Sequence, residues 1–283
     1  MMINWNVYWR LARFDKPVGI LLLWFPTAWA LWMANDGLPS FKLFSLFLLG
    51  TIIMRAVGCV VNDIADRDID KHVVRTKLRP LTAGELNLKN SLYFLAILLS
   101  LALLILICLP LQCVYLALLA LAITILYPFC KRWVNAPQMV LGLAFSLGIP
   151  MVYVASNVSM NENTIVLFLI NYTWIVAYDT MYAMTDKHDD LQIGVKSTAI
   201  YFADYDRLII GLLQLFFHTI WLYWGITKGL NIYFYTLWLA AGTVLIYQQK
   251  LIRKRIPQDC FKAFLISAYY GGIMWLALIS HYR

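Results

Sequence analysis

Long runs of apolar residues, separated by short polar segments, follow one another along almost the whole 283-residue chain. Each run is apolar nearly all the way round a helix, and tryptophan and tyrosine lie near several ends, as at membrane–water interfaces. Strands of a membrane barrel would alternate in polarity over about ten residues, and these runs do not. The pattern predicts nine membrane-spanning helices, at 18–35, 41–61, 91–109, 111–128, 138–156, 164–182, 208–226, 232–248 and 262–280.

The composition agrees with an all-α, polytopic membrane protein. Apolar residues make up 62% of the chain and charged residues only 13%, whereas a soluble domain carries about 25% charged residues. This composition excludes intrinsic disorder. Neither a glycine- or serine-rich linker nor a shift of composition interrupts the chain, so we expect a single domain over residues 1–283.

The basic residues are distributed unevenly between the segments that join the apolar runs. Nineteen of the 23 fall in the N-terminal segment and in every second connection, which places them on one side of the predicted bundle. Because cytoplasmic loops carry such an excess, we expect a cytoplasmic N-terminus and a C-terminus on the outer side. This orientation accounts for the net charge of +8, so nucleic acid is not an expected partner.

Eight of the fifteen acidic residues are concentrated in two short stretches. The first acidic stretch (62–70, NDIADRDID) follows the second predicted span, and the second acidic stretch (179–190, DTMYAMTDKHDD) covers the end of the sixth. At 100° per residue, the main aspartates of each stretch fall on one face of a helix. Like charges stacked in this way repel each other, which favours a bound cation such as Mg²⁺ shared with a substrate phosphate. The alternative is a pair of solvated acidic loops at the membrane surface.

Basic residues flank both acidic stretches on the same predicted membrane face. They can neutralise a diphosphate, although the positive-inside bias alone also accounts for them. They are Arg13, Arg67, Lys71, Arg75, Arg79, Lys131, Arg132, Lys187 and Lys196. Arg55 differs because it lies inside the second predicted span, about two turns before Asp63. An arginine there is costly, so we expect it to bind a carboxylate of a substrate or of the protein.

The two acidic patterns, N-D-x-x-D-x-x-x-D and D-x-x-Y-A-x-x-D-x-x-x-D, resemble those of the intramembrane aromatic prenyltransferases of the UbiA type. Further similar stretches run along the chain, among them RFDKPVG, VRTKLRPL, YPFCKR and IGVKSTA, and favour the branch that prenylates 4-hydroxybenzoate. The resemblance implies nine transmembrane helices around a central cavity that opens to lipid. Two cytoplasmic loops, the 2–3 loop at about 62–90 and the 6–7 loop at about 183–207, would cap this cavity.

The resemblance also implies an activity and a set of site residues. A polyprenyl group would pass from polyprenyl diphosphate to the ring carbon ortho to the hydroxyl of 4-hydroxybenzoate, a step of ubiquinone biosynthesis that uses Mg²⁺. The metal ligands would be Asp63, Asp66, Asp70, Asp186 and Asp190. Substrate contacts would come from Arg13, Asn62, Arg67, Tyr127, Lys131, Arg132, Tyr182 and Lys187. Asp179 or Asp186 would take the ring proton, and Arg55 would orient the benzoate carboxylate.

Two alternatives stay open at the level of sequence. The same chemistry can act on another aromatic acceptor, such as a naphthoate, homogentisate or haem, because the acceptor pocket is not readable from the chain. A cation transporter would also use intramembrane acids, but it is expected to hold them near the bilayer midplane on broken helices. The acids here lie at helix ends beside long loops, which favours the enzyme.

Overall fold

Helices account for nearly all of the regular structure in residues 4–282, the part of the chain that the computed structural model describes. The α-helices in this range are α1 (Trp5–Leu11), α2 (Val18–Ala34), α3 (Phe41–Asp66), α4 (Leu88–Ile107), α5 (Leu111–Trp133), α6 (Pro137–Ser146), α7 (Gly148–Ala155), α8 (Glu162–Ile193), α9 (Thr198–Tyr201), α10 (Asp206–Thr227), α11 (Ile232–Leu251) and α12 (Pro257–His281).

Seven segments of the described chain are long and apolar enough to cross a membrane. They are α3, α4, α5, the α6–α7 pair, α8, the segment 203–227 that contains α10, and α12. The other two predicted spans coincide with α2, which has 17 residues, and with α11, in which tyrosine and glutamine reduce the apolar character. The prediction of an all-α, multi-pass membrane protein is confirmed, and the count of nine crossing helices stays a prediction.

Three predicted helix ends fall five or more residues too early, and all three lie beside the acidic stretches. The helix predicted to end at 182 continues to Ile193, so residues 183–193 are helical and do not belong to a loop. Similarly, α3 ends at Asp66 instead of 61, and α5 ends at Trp133 instead of 128. The predicted ends mark where apolar character stops, but polar residues continue a helix readily. In α8 the helix stops where Gly194 adopts a left-handed φ of 74°.

The fifth predicted span, 138–156, is broken in the structure. α6 ends at Ser146 and α7 begins at Gly148, with Leu147 between the two helices. Pro150 has no N–H to donate to the carbonyl of Ser146, so a regular helical hydrogen bond is missing at this point. The two short helices together still form one candidate crossing segment.

The helix that carries the second acidic stretch lies at the centre of the bundle. α8 packs against α6, α10 and α12 and buries 72% of its most apolar stretch, whereas α4 and α5 bury 11% and expose apolar side chains. Large aromatic rings fill the core around it: the ring of Trp29 lies 5.2 Å from Trp174 and 5.4 Å from Trp221. Rings of this size dominate the buried apolar area of a core, so α8 is fixed by packing along its membrane-embedded length.

Two open clefts lie on the surface, away from the acidic stretches. One of about 410 Å³ is lined by Lys250, Arg253 and Asp259, among others, and one of about 450 Å³ lies beside Tyr233 and Leu276. Neither contains a residue of the predicted site, so the central cavity stays a prediction.

Candidate active site

The first acidic stretch occupies the end of α3 and the turn that follows. Asp63 and Asp66 lie in the last turn of α3, whereas Asp70 begins a separate 3-10 turn, Asp70–His72. The prediction that one helix carries all three aspartates is therefore wrong for Asp70. A helix C-terminus disfavours further anions, and the hydroxyl of Thr76 holds the turn by donating to the carbonyl of Asp70 at 3.1 Å. All three aspartates are buried, with 1–4% of their surface exposed.

Two arginines neutralise Asp63 and Asp70. The Nη2 of Arg13 donates to both carboxylate oxygens of Asp63, at 2.7 and 2.8 Å, and Arg79 lies 3.0 Å from Asp63 and 2.6 Å from Asp70. Arg13 has a left-handed φ of 61° just after α1, a conformation that reverses the chain there. Burial raises the pKa of Asp70; Arg79 opposes this rise, and the charges of Asp63 and Asp66 add to it.

The last turn of α5 meets the first acidic stretch. The ammonium of Lys131 donates to Oδ2 of Asp66 at 2.6 Å and to Oδ1 of Asn62 at 3.2 Å. It also lies 5.3 Å from the centre of the Tyr127 ring. Four residues predicted to act in one site are therefore in contact, although they come from two helices separated by about 65 positions in the chain.

The second acidic stretch continues an aromatic face of α8. Trp174, Tyr178, Tyr182, Asp186 and Asp190 follow one another at intervals of four residues over about 24 Å of helix, each about 40° round the helix from the one before. The rings of Trp174 and Tyr178 are 5.1 Å apart, and both residues are buried. The prediction that these aspartates lie on one helix is confirmed. The face is aromatic inside the bundle and becomes acidic at its end.

The loop after α3 connects the two acidic stretches. Arg75 donates from Nε and Nη2 to the two carboxylate oxygens of Asp186, at 3.0 and 2.6 Å, and its guanidinium carbon lies 4.5 Å from the centre of the Tyr182 ring. Next to it, the backbone N–H of Val74 donates to Asp189 at 2.9 Å. Both stretches therefore lie at the same end of the bundle.

Arg55 lies within α3 with its side chain partly buried, and its buried Nε has no hydrogen-bond partner in the described part of the chain. Its neighbours include the side chains of Cys59, Tyr182, Tyr178 and Asp179. Within residues 4–282 its guanidinium forms no ion pair with a protein carboxylate, although Asp179 belongs to this group. Arg55 was expected to bind a carboxylate of a substrate or of the protein. The structure does not provide the protein carboxylate, so the substrate carboxylate stays the expected partner.

The donor atoms of the site suit a divalent cation, although they are not gathered into one cluster. Within residues 4–282, no three Asp, Glu, His or Cys side chains come close enough to hold a metal ion. Most of the aspartates pair with arginine or lysine instead. In the same range, Oδ1 of Asp66 is buried without a partner, and the side chains of Asp179 and Asp190 make no hydrogen bond. Carboxylate oxygens of this kind are the ligands that Mg²⁺ prefers, so the chemistry of the residues fits.

Two predicted site residues contact groups outside the two carboxylate rows. Arg67 pairs with the exposed Asp68 at 3.5 Å. Lys187 lies 3.3 Å from Asp206, which is fully buried and also pairs with Arg255 at 2.8 Å. These contacts give no support to a substrate role for Arg67 or Lys187. The pairs of Asp206 with Lys187 and Arg255 instead form a clamp that ties the end of α8 to the start of α10 and to the loop before α12.

Three further residues shape the site: the sequence placed them among the basic residues that flank the acidic stretches, but not among the metal ligands, substrate contacts or catalytic residues. Arg75 and Arg79 hold three of its aspartates. Lys196 caps α5, because its backbone N–H donates to the carbonyl of Lys131 and its ammonium to that of Trp133, both at 2.9 Å. The stretches VRTKLRPL and IGVKSTA, in which the three lie, are the signals that the sequence contains for them. Arg132, which belongs to the predicted set, donates at 3.2 Å to the carbonyl of residue 65.

Comparison with known proteins identifies the class of this helical membrane protein. Residues 23–279 match the UbiA prenyltransferase family, and the chain belongs to that family. Over 277 residues it is 63% identical to the 4-hydroxybenzoate octaprenyltransferase of Legionella pneumophila subsp. pneumophila (strain Philadelphia 1), with 98% of each chain covered. The predicted resemblance to this family is thereby confirmed.

Solved structures share the fold at lower sequence identity. The apo structure of a UbiA homolog from Aeropyrum pernix K1 is similar with a TM-score of 0.78 and 20% identity, over 90% of this chain and 95% of that one. A UbiA homolog from Archaeoglobus fulgidus bound to GPP and Mg²⁺ is similar with a TM-score of 0.72 and 19% identity, over 97% and 99% of the two chains.

Proposed function

We propose that this protein transfers a polyprenyl group from polyprenyl diphosphate to 4-hydroxybenzoate, at the ring carbon ortho to the hydroxyl, and releases diphosphate. This is a membrane-bound step of ubiquinone biosynthesis. The substrate pair comes from the full-length similarity to the 4-hydroxybenzoate octaprenyltransferase of Legionella pneumophila. The observation that carries the chemistry is the meeting of the two acidic stretches, through Arg75 and Asp186, above an aromatic face of α8.

The proposal includes an arrangement in the membrane. The seven long apolar segments, together with α2 and α11, would cross the bilayer nine times as one domain over residues 1–283. The acidic stretches would face the cytoplasm at the inner membrane of a bacterium, because the basic residues lie on that side. The loop from 67 to 87 and the segment from 194 to 205 would cap a central cavity. An insoluble prenyl chain would then lie among apolar helices while its diphosphate stays at the polar rim.

Mg²⁺ is the cofactor that we propose for the acidic stretches. Asp66, Asp70, Asp186 and Asp190 would hold it, with Asp63 beside them, and it would supply positive charge to the departing diphosphate. Basic side chains next to these ligands would contact the diphosphate oxygens. The best placed are Lys131, Arg132, Arg75 and Arg79, with Asn62 and Tyr127 supporting Lys131.

The reaction itself follows from charge and exclusion of water. The bond between the first prenyl carbon and its diphosphate oxygen breaks, the electron pair leaves with the oxygen, and an allylic cation forms. The π faces of Tyr182 and Tyr178 stabilise a cation and keep water away from it. The electron-rich ring of the phenol attacks this cation, and the proton of the attacked carbon passes to the carboxylate of Asp179 or Asp186, which restores the aromatic ring. The guanidinium of Arg55 binds the benzoate carboxylate and thereby fixes which ring carbon reacts.

The test is prenylation of 4-hydroxybenzoate by membranes that contain this protein, with the product measured by mass spectrometry. Membranes from the same cells without the protein serve as the blank. We expect product only with a divalent cation, and a loss of product with chelator or with the variants Asp66→Asn and Asp186→Asn. Undiminished turnover in chelator, or in both variants, would contradict the metal mechanism. A panel with naphthoate and homogentisate decides between acceptors, and faster prenylation of either would overturn the choice of 4-hydroxybenzoate.

A further inference from the structure

Arg55 is a partly buried charged side chain whose position depends on a neighbouring helix. It lies in the middle of α3, surrounded by groups that do not hold it: Nε makes no hydrogen bond within residues 4–282, and Tyr178 has an equally unpartnered buried hydroxyl. A guanidinium has five N–H donors in a rigid plane, so hydrogen bonds alone do not explain why it stays in one orientation here.

The missing constraint comes from Gly19, in the first turn of α2. A Cβ atom added at Gly19 would lie 2.4 Å from Nε of Arg55, 2.5 Å from Nη2 and 2.8 Å from Cζ. Because the two nitrogens lie closer to this point than Cζ does, the guanidinium meets the backbone of Gly19 with its Nε–Nη2 edge. Ordinary contact distances are about 3.5–4.0 Å, so no residue other than glycine permits this approach. The helical backbone of α2 at this position does not itself require glycine.

We propose that Gly19 is a positioning residue that determines acceptor specificity: its missing side chain lets the Nε–Nη2 edge of Arg55 approach α2, which directs the remaining guanidinium donors toward the acceptor carboxylate. The inference rests on the proposed function, since it concerns the acceptor of that same reaction. It adds a role for a residue that carries no functional group. The simpler alternative is that Gly19 only allows α2 and α3 to pack closely.

The two roles differ in what an added methyl group would do. The atoms that a Cβ at position 19 meets belong to the far end of a flexible side chain and not to the backbone of α3. The fold therefore accommodates alanine by moving the guanidinium. A shift of about 1 Å restores an ordinary contact distance between the guanidinium and the added Cβ. A displacement of that size at a binding group costs up to about 100-fold in turnover, whereas the packing of the helices changes little.

The decisive experiment compares Gly19→Ala with Gly58→Ala in steady-state prenylation of 4-hydroxybenzoate. Gly58 is the matched control, because it lies one turn from Arg55 on α3 and a Cβ there meets only a methyl group of Thr124 at an ordinary 3.9 Å. For Gly19→Ala we expect the KM for 4-hydroxybenzoate to rise at least about tenfold, with the KM for the prenyl donor and the Tm unchanged. For Gly58→Ala we expect wild-type constants.

Two further arms separate positioning from packing. In the Arg55→Met background, adding Gly19→Ala is expected to change the KM for the acceptor less than about twofold, because the group that Gly19 positions is gone. With 4-hydroxybenzamide, which lacks the carboxylate, wild type and Gly19→Ala are expected to behave alike. A full effect of Gly19→Ala in the Arg55→Met background, an equal rise of both KM values, or a lowered Tm with unchanged KM would overturn the inference.

The outcomes for this inference and for the proposed function are distinguishable. A wild-type protein that does not prenylate 4-hydroxybenzoate overturns the proposed function together with the inference. A wild-type protein that does so, with Gly19→Ala kinetically identical to it, overturns only the role of Gly19.

Discussion

Replacing Asp190 by asparagine separates cation binding from folding at this site. The side chain of Asp190 is half-buried and makes no hydrogen bond in the described part of the chain. Its charge is repelled by Asp186, one turn earlier on α8, and by Asp189. Asparagine keeps the volume and one oxygen but removes the charge, so the variant loses a candidate metal ligand without losing a protein contact.

The expected magnitudes for folding and for activity are far apart. Relief of a like-charge pair one turn apart on a helix is worth about 0.2–0.5 kcal/mol, so the Tm stays the same or rises slightly. Two unit charges 4 Å apart interact by about 4 kcal/mol at an effective dielectric constant of about 20, and a dication doubles this value. In the variant, a water molecule bound to the cation replaces much of the lost interaction between the carboxylate and the cation. We therefore expect a loss of at least about 2.7 kcal/mol of transition-state stabilisation, or about 100-fold in kcat/KM.

The assay is prenylation of 4-hydroxybenzoate at a series of Mg²⁺ concentrations, with thermal unfolding of the same preparations in detergent. Asp189→Asn is the control, because the amide oxygen of asparagine can still accept the hydrogen bond from the backbone N–H of Val74. Its kcat/KM should stay within about threefold of wild type. If Asp190→Asn keeps the turnover and the Mg²⁺ dependence of the wild type, Asp190 is not a metal ligand and the reasoning is refuted.

Substitutions at three further positions test how the site is supported, each by thermal unfolding in detergent. Asp206→Ala should lower the free energy of unfolding by about 1–3 kcal/mol, since Lys187 and Arg255 lose their shared carboxylate but are partly exposed; an unchanged Tm would exclude the clamp. Gly194→Ala should cost about 1 kcal/mol through its left-handed φ alone, because nothing lies within 4 Å of the added Cβ, and Gly194→Asn should cost less. Arg13→Gln should cost about 1–3 kcal/mol, because buried Asp63 keeps only Arg79, while the KM for the donor changes less than threefold; a larger change of KM would assign Arg13 to the substrate.

The membrane class and the two acidic stretches are predictable from the chain because both depend on local pattern. Twenty apolar residues in a row form a span wherever they occur, since the bilayer leaves no water for an unpaired backbone group. The spacing of Tyr182, Asp186 and Asp190 fixes a shared helix face for the same reason, because the period of a helix is constant. The pattern alone does not define the reaction. The reaction is inferred because these residues match the motifs of a family whose chemistry is known.

Local sequence pattern did not predict where the helices end or which charged residues pair. Residues 183–193 are polar, and polarity does not distinguish a helix in water from a loop, so α8 is longer than predicted. The loss of Asp70 from α3 depends on Arg79 and Thr76, which lie further along the chain. A partner is chosen by distance in space, and the sequence does not contain that distance.

By itself, then, the sequence determined an all-α membrane protein with two rows of carboxylates at helix ends, because apolar length and helical spacing act within one segment. Tertiary structure decided which cation each carboxylate meets: Lys131 reaches Asp66 across 65 positions, and Arg75 reaches Asp186 across 111. It also decided that Gly19 lies against Arg55, which no property of a glycine in a sequence indicates. Steric contact acts only over a few ångströms, and Coulomb attraction weakens with distance and with screening, so the folded arrangement of the helices selects these pairs.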